Sequence, residues 1–136
     1  MEIALLSNNQ LRESGLAYFD RMFGDGAPQM LVDDMQGLCP DFTDMSIEWA
    51  VGGVTCRPGL DAVTRELGVI AACLTMGHPV PQLRAHTQAA LKAGATREQV
   101  IEAVLQLLFY AGGASVRNAL VHIKDILNAP TEAPAS

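Results

Sequence analysis

The stretch that decides the fold is residues 61–94, DAVTRELGVIAACLTMGHPVPQLRAHTQAALKAG. Val63, Leu67, Ile70, Ala71 and Leu74 recur at helical spacing and form one stripe, which predicts a helix over 61–76. Val69, Ala72, Cys73 and Met76 fall on other faces and are apolar too, so this helix is expected to be wrapped by protein on nearly all sides. Asp61 is placed to cap its start and Gly77 to end it. Pro79 and Pro81 fit only the first turn of a following helix, 79–93, which Gly94 closes.

The same pattern extends in both directions. Downstream, Thr96 and Gln99 form a capping box that opens a helix over 96–111, and Gly112-Gly113 separates it from a last helix over 114–128. Upstream, Leu11, Leu16, Phe19 and Phe23 give an amphipathic helix over 9–23. A short helix over 28–38 stops at Cys39-Pro40, and Phe42, Met45 and Trp49 put one apolar face on a helix over 41–51. Helices joined by short turns indicate an all-α, single-domain helical bundle of about six to seven helices. It spans residues 1–128, and 129–136, with Pro130 and Pro134, is an unstructured tail.

Composition narrows the function. Nine Lys and Arg against fifteen Asp and Glu give a net charge of −6, which lacks the basic footprint of a nucleic-acid binder and argues against docking on anionic membrane. No run approaches the ~20 apolar residues of a spanning helix, and the start has no basic region of a signal peptide. Cys39, Cys56 and Cys73 are too few and too far apart for a disulfide framework or a zinc ribbon, so a reduced, cytoplasmic protein is expected. Yet 49% of residues are hydrophobic in a chain of 136. A small domain has much surface for its volume, so the excess is expected at subunit interfaces of an obligate oligomer.

Polar residues among these apolar helices are the candidates for chemistry, because burying a charge is costly without a partner. Arg65 and Glu66 lie near the start of helix 61–76. Arg65 either meets a carboxylate ligand or forms an ion pair with Glu66 or Asp61. His86 sits on the flank of the stripe Leu83, Thr87, Ala90. There it can border a pocket and move protons, or be satisfied by a neighbouring carbonyl. His78 and His86 are eight apart, not the i, i+4 of a helical metal site, and no metal is expected. Trp49 and Tyr110 are pocket-lining or core residues. Arg57, before Pro58, is a carboxylate binder or a surface arginine.

Several of these pieces together resemble the carboxymuconolactone decarboxylase family. They are Arg57-Pro58-Gly59-Leu60-Asp61, Arg65-Glu66-Leu67, Leu83-Arg84-Ala85-His86, Ala89-Ala90-Leu91, Gly94-Ala95-Thr96-Arg97-Glu98-Gln99 and Tyr110-Ala111-Gly112. Pro40-Asp41-Phe42 and Trp49-Ala50-Val51-Gly52 resemble its decarboxylase branch. The resemblance covers about residues 10–128. It implies an alkylhydroperoxidase D-like fold and homo-trimers or homo-hexamers. The redox branch of the family carries Cys-x-x-Cys ahead of the histidine. If His86 is that histidine, the two slots hold Pro79 and Gln82, neither of which can form a thiolate.

The decarboxylase branch removes carbon dioxide from a γ-carboxymuconolactone without a cofactor, in aromatic-ring catabolism. The resemblance therefore implies a cofactor-free lyase acting on a small anionic lactone or keto-acid. By it, His86 is the proton donor or base, Glu66 is a second acid/base or positions it, and Arg57 and Arg65 bind the anion. Trp49, His78, Gln82 and Tyr110 complete the candidate substrate site. Gln82 stands where decarboxylase relatives often carry Glu, so an isomerase or cyclase on a related enolisable substrate is the first alternative. A non-catalytic oligomer binding a small acid is the second.

Overall fold

A computed structural model describes residues 6–77 and 79–130, and every regular element among them is helical. Eight α-helices and one π-helix are present among these residues, divided between two compact units that meet at Asp61 and Ala62.

The first unit opens with α1 (Asn8–Phe23). Ser7 Oγ accepts the Gln10 N–H while Gln10 Oε1 accepts the Ser7 N–H at 2.9 Å. This capping box, formed one residue ahead of the expected start, satisfies two amides that the first turn would leave orphaned. The short helices α2 (Ala27–Met35) and α3 (Pro40–Asp44) each carry proline in the first turn, where its missing N–H has no partner to lose.

The chain then enters an eleven-residue π-helix, Met45–Thr55, where the spacing predicts ordinary α-helix. The physical reason lies in its packing on α1. A Cβ on Gly15 would stand 2.0 Å from the Ile47 carbonyl oxygen, and one on Gly52 would stand 2.0 Å from that of Leu11. Leu11 and Gly15 are four apart, about one α-turn; Ile47 and Gly52 are five apart, one turn of an i→i+5 helix. The wider repeat brings Ile47 and Gly52 onto the line that α1 presents, and glycine at each crossing lets the two backbones touch. Arg12 on α1 fastens the pair through Glu48 at 2.9 Å and also reaches Asp44, the last residue of α3, at 3.1 Å. With Ile47 and Gly52 turned toward α1 and buried, the apolar face read at Phe42, Met45 and Trp49 lies exposed.

In the second unit α4 (Ala62–Thr75) and α5 (Val80–Ala93) pack along each other, joined by α6 (Arg97–Leu105), α7 (Leu108–Ala111) and α8 (Gly113–Leu127). Ile70, Leu74, Leu83, Ala90, Val100, Val104, Ala119 and Ile123 form its core and are almost wholly removed from solvent. Within the single chain one stripe of α4 is buried, while Ala72 and Met76 are exposed. Gly94, at φ 111°, takes the left-handed conformation that ends α5. Thr96 and Gln99 then form the expected capping box. The single helix expected over 96–111 is broken at Gln106 and Leu107 into α6 and α7. Arg84 on α5 clamps α8 with two hydrogen bonds to Asp125, at 2.7 and 2.8 Å, and a third to the His122 carbonyl. The guanidinium holds the Asp125 carboxyl down at about 2.

No helix among the described residues is long and apolar enough to cross a membrane. Ala129 and Pro130 follow α8; the rest of the expected tail, like His78, lies outside the described residues.

Candidate active site

The second unit brings two of the candidate residues into direct contact. Glu66 lies on α4 at the register of the core: Ile70, Cys73 and Leu74 follow it at i+4, i+7 and i+8, and all are buried. Its own exposure is 1%, which for a carboxylate demands a partner. On α5, Leu83, Thr87 and Ala90 face the core, and His86 sits beside that stripe with a quarter of its side chain exposed. Packing of α4 on α5 puts His86 Nδ1 2.6 Å from Glu66 Oε2.

That geometry fixes the ring. A hydrogen must lie between Nδ1 and Oε2, since two bare acceptors do not approach to 2.6 Å. The carboxylate thus orients the imidazole, and any proton His86 exchanges with another molecule passes through Nε2. Glu66 is buried too deeply to serve as the first contact of a solvent-borne reactant. A histidine steered by a buried carboxylate is suited to general acid–base work.

Cys73, about two turns beyond Glu66 on α4, is buried in the core. Burial, aided by the Glu66 charge, pushes its thiol up from the ordinary 9.0. Pro79 precedes α5 and Gln82 is exposed in its first turn, so neither redox slot holds a thiol. Among the described residues no three His, Cys, Asp or Glu are grouped to hold a metal ion.

The other candidates are placed as follows. Arg65 is partly buried on α4. Tyr110, on α7, is 85% exposed and is not a core residue. In the first unit, Trp49 is 70% exposed on the π-helix, and Arg57 is exposed just beyond it. His78 lies outside the described residues. The direct Glu66–His86 bond is what sequence reasoning did not specify. Its signal is the placement of Glu66 one turn before Ile70, a core position where only a satisfied carboxylate can sit.

A model of the carboxymuconolactone decarboxylase family matches residues 40–124, which include Glu66 and His86. The chain is similar to a 4-carboxymuconolactone decarboxylase of Acinetobacter baylyi, at 28% identity over 120 residues, 88% of each chain. It is similar to an uncharacterized 15.0 kDa protein of Paracoccus denitrificans, at 36% over 87 residues, 63% of this chain and 65% of that one. It is also similar to a nitrosuccinic acid decarboxylase of Metarhizium robertsii, at 34% over 90 residues, 62% of this chain and 59% of that one.

Proposed function

The chain belongs to the carboxymuconolactone decarboxylase family, and we propose that it is a cofactor-free lyase that decarboxylates a small anionic lactone or keto-acid, with His86 as the proton carrier. The observation that carries this reading is the 2.6 Å contact between a wholly buried Glu66 and a quarter-exposed His86.

The chemistry fits a single orientable imidazole. Two relatives are named for 4-carboxymuconolactone and for nitrosuccinic acid. In the first compound, loss of carbon dioxide sends an electron pair into the conjugated lactone carbonyl. In the second it sends the pair into a nitro group. In both the substrate is its own electron sink, so the protein has only to hold the anion, favour the delocalised charge and manage one proton. His86 delivers that proton from Nε2, an effect worth about 10²–10⁴-fold. Glu66 positions the ring and stabilises its positive form. Of the remaining candidates on the second unit, Arg65 binds the substrate carboxylate, and Gln82 and Tyr110 complete the site.

Exposure of Phe109 (93%), Met76 and Trp49 in one chain supports assembly into an oligomer, which we take to be the homo-trimer or homo-hexamer that the family resemblance implies, and we place it in the cytoplasm. The test is carbon dioxide release from 4-carboxymuconolactone and from nitrosuccinate by the purified protein and by His86→Ala. Release from 4-carboxymuconolactone, lost in a variant of unchanged helical content, is the expected result; release from nitrosuccinate alone would overturn the assignment to a lactone or keto-acid. No release from either, or full activity of the variant, would overturn the proposal.

A further inference from the structure

We infer that the same centre catalyses a second reaction that needs no carboxyl group to be lost: reversible removal of a proton from the carbon next to an enol-lactone carbonyl, with exchange against solvent. This rests on His86 being the proton carrier proposed above. It follows from three features of the second unit.

First, Nδ1 is engaged by Glu66, so giving and taking a proton both run through Nε2 of one ring. Second, the side chain one turn before His86 on the same helix is Gln82, an exposed amide that cannot carry a proton. Third, a quarter of the His86 side chain is exposed, so water can reach the ring between events. A donor that protonates a delocalised carbanion must, through the same transition state, remove that proton again. Such reversal is written off only where another group takes over the return path, and Glu66, with its side chain 2% exposed, is withheld from the reactant.

The step balances without any co-reactant. His86 Nε2 takes the C–H proton. The C–H electron pair becomes a carbon–carbon π bond, and the carbonyl π pair moves onto oxygen to give the dienolate. The imidazolium, held by Glu66, trades its Nε2 proton for one from solvent. Return of that proton to the same carbon gives the labelled starting lactone; return to the far end of the dienolate gives the conjugated isomer. The centre is therefore a lactone exchange and allylic isomerisation catalyst as well as a lyase.

The probe is α-angelica lactone, a β,γ-unsaturated enol-lactone without a carboxyl group, incubated in deuterium oxide with the full-length protein and followed by proton nuclear magnetic resonance. Carbon dioxide release from 4-carboxymuconolactone is measured in parallel. The expected result is deuterium at the carbon next to the carbonyl about 10²-fold or more faster than in buffer. His86→Gln abolishes it and Glu66→Gln slows it roughly tenfold, since the ring loses its charge-assisted bond. Circular dichroism of both variants ensures that the loss is not unfolding. Exchange with carbon dioxide release sustains both conclusions. Carbon dioxide release without exchange overturns this inference and leaves the lyase standing. Exchange without carbon dioxide release sustains the inference and removes the lyase. Absence of both overturns both.

Discussion

Glu66→Gln isolates what the buried carboxylate contributes. The amide oxygen can still accept the Nδ1–H, so the ring keeps a partner and the α4–α5 packing is retained; only the negative charge is removed. Hydrogen bonds to charged groups contribute about 1.5–3 kcal/mol and neutral ones about 0.5–1.5. The difference, about 1–2 kcal/mol, bears on the states in which the ring is positive. At about 1.36 kcal/mol per tenfold in rate, that predicts a fall in kcat of roughly 5- to 30-fold. KM changes little, because Glu66 is 1% exposed and stands on the far side of the ring from a reactant at Nε2. The assay is steady-state carbon dioxide release, with circular dichroism to confirm the fold. A variant with kcat within twofold of the parent, or one whose loss lies in KM alone, would refute the reasoning.

Three further outcomes are expected. Gly52→Ala places a Cβ 2.0 Å from the Leu11 carbonyl, so two rigid backbones must part to regain ordinary contact at 3.4 Å; overpacking of this kind costs about 3 kcal/mol, and a fall in Tm of less than about 3 °C would contradict the close crossing. The Arg84–Asp125 clamp makes stability depend on acid: a carboxyl lowered from 3.8 to about 2 contributes stability present above pH 3.8 and lost as pH falls through 2, so Asp125→Asn should show a flatter dependence of urea midpoint on pH across that window. In the folded protein the raised, buried Cys73 thiol should resist iodoacetamide while exposed Cys39 reacts, as read by peptide mass spectrometry; equal labelling would contradict its burial.

Much of the fold was legible because helix punctuation is local. Thr96 with Gln99, Gly94, and the prolines at 79 and 81 act within one turn of themselves, and the structure places helix ends within a few residues of where they point. Two features were not legible. The π-helix arises from the match of Ile47 and Gly52 to α1, a partner about thirty to forty residues away, so the period of 41–51 alone pointed to the wrong repeat. The break at Gln106 and Leu107 carries neither glycine nor proline, and its apolar run reads as continuous helix. At the site, residue types singled out Glu66 and His86 separately. Their bond depends on the packing of α4 against α5, which no spacing within either helix encodes. Tyr110 and Trp49, amphipathic and therefore ambiguous in sequence, lie exposed in the single chain.

The central claim is that Glu66 acts only through His86, and a double-mutant cycle tests it most directly. Carbon dioxide release is measured for the parent, Glu66→Gln, His86→Ala and the double variant under one set of conditions. If the two side chains work as a unit, the double variant is no slower than His86→Ala alone, because the carboxylate has no ring left to steer. Losses that multiply, with Glu66→Gln costing the same factor in both backgrounds, would contradict the account.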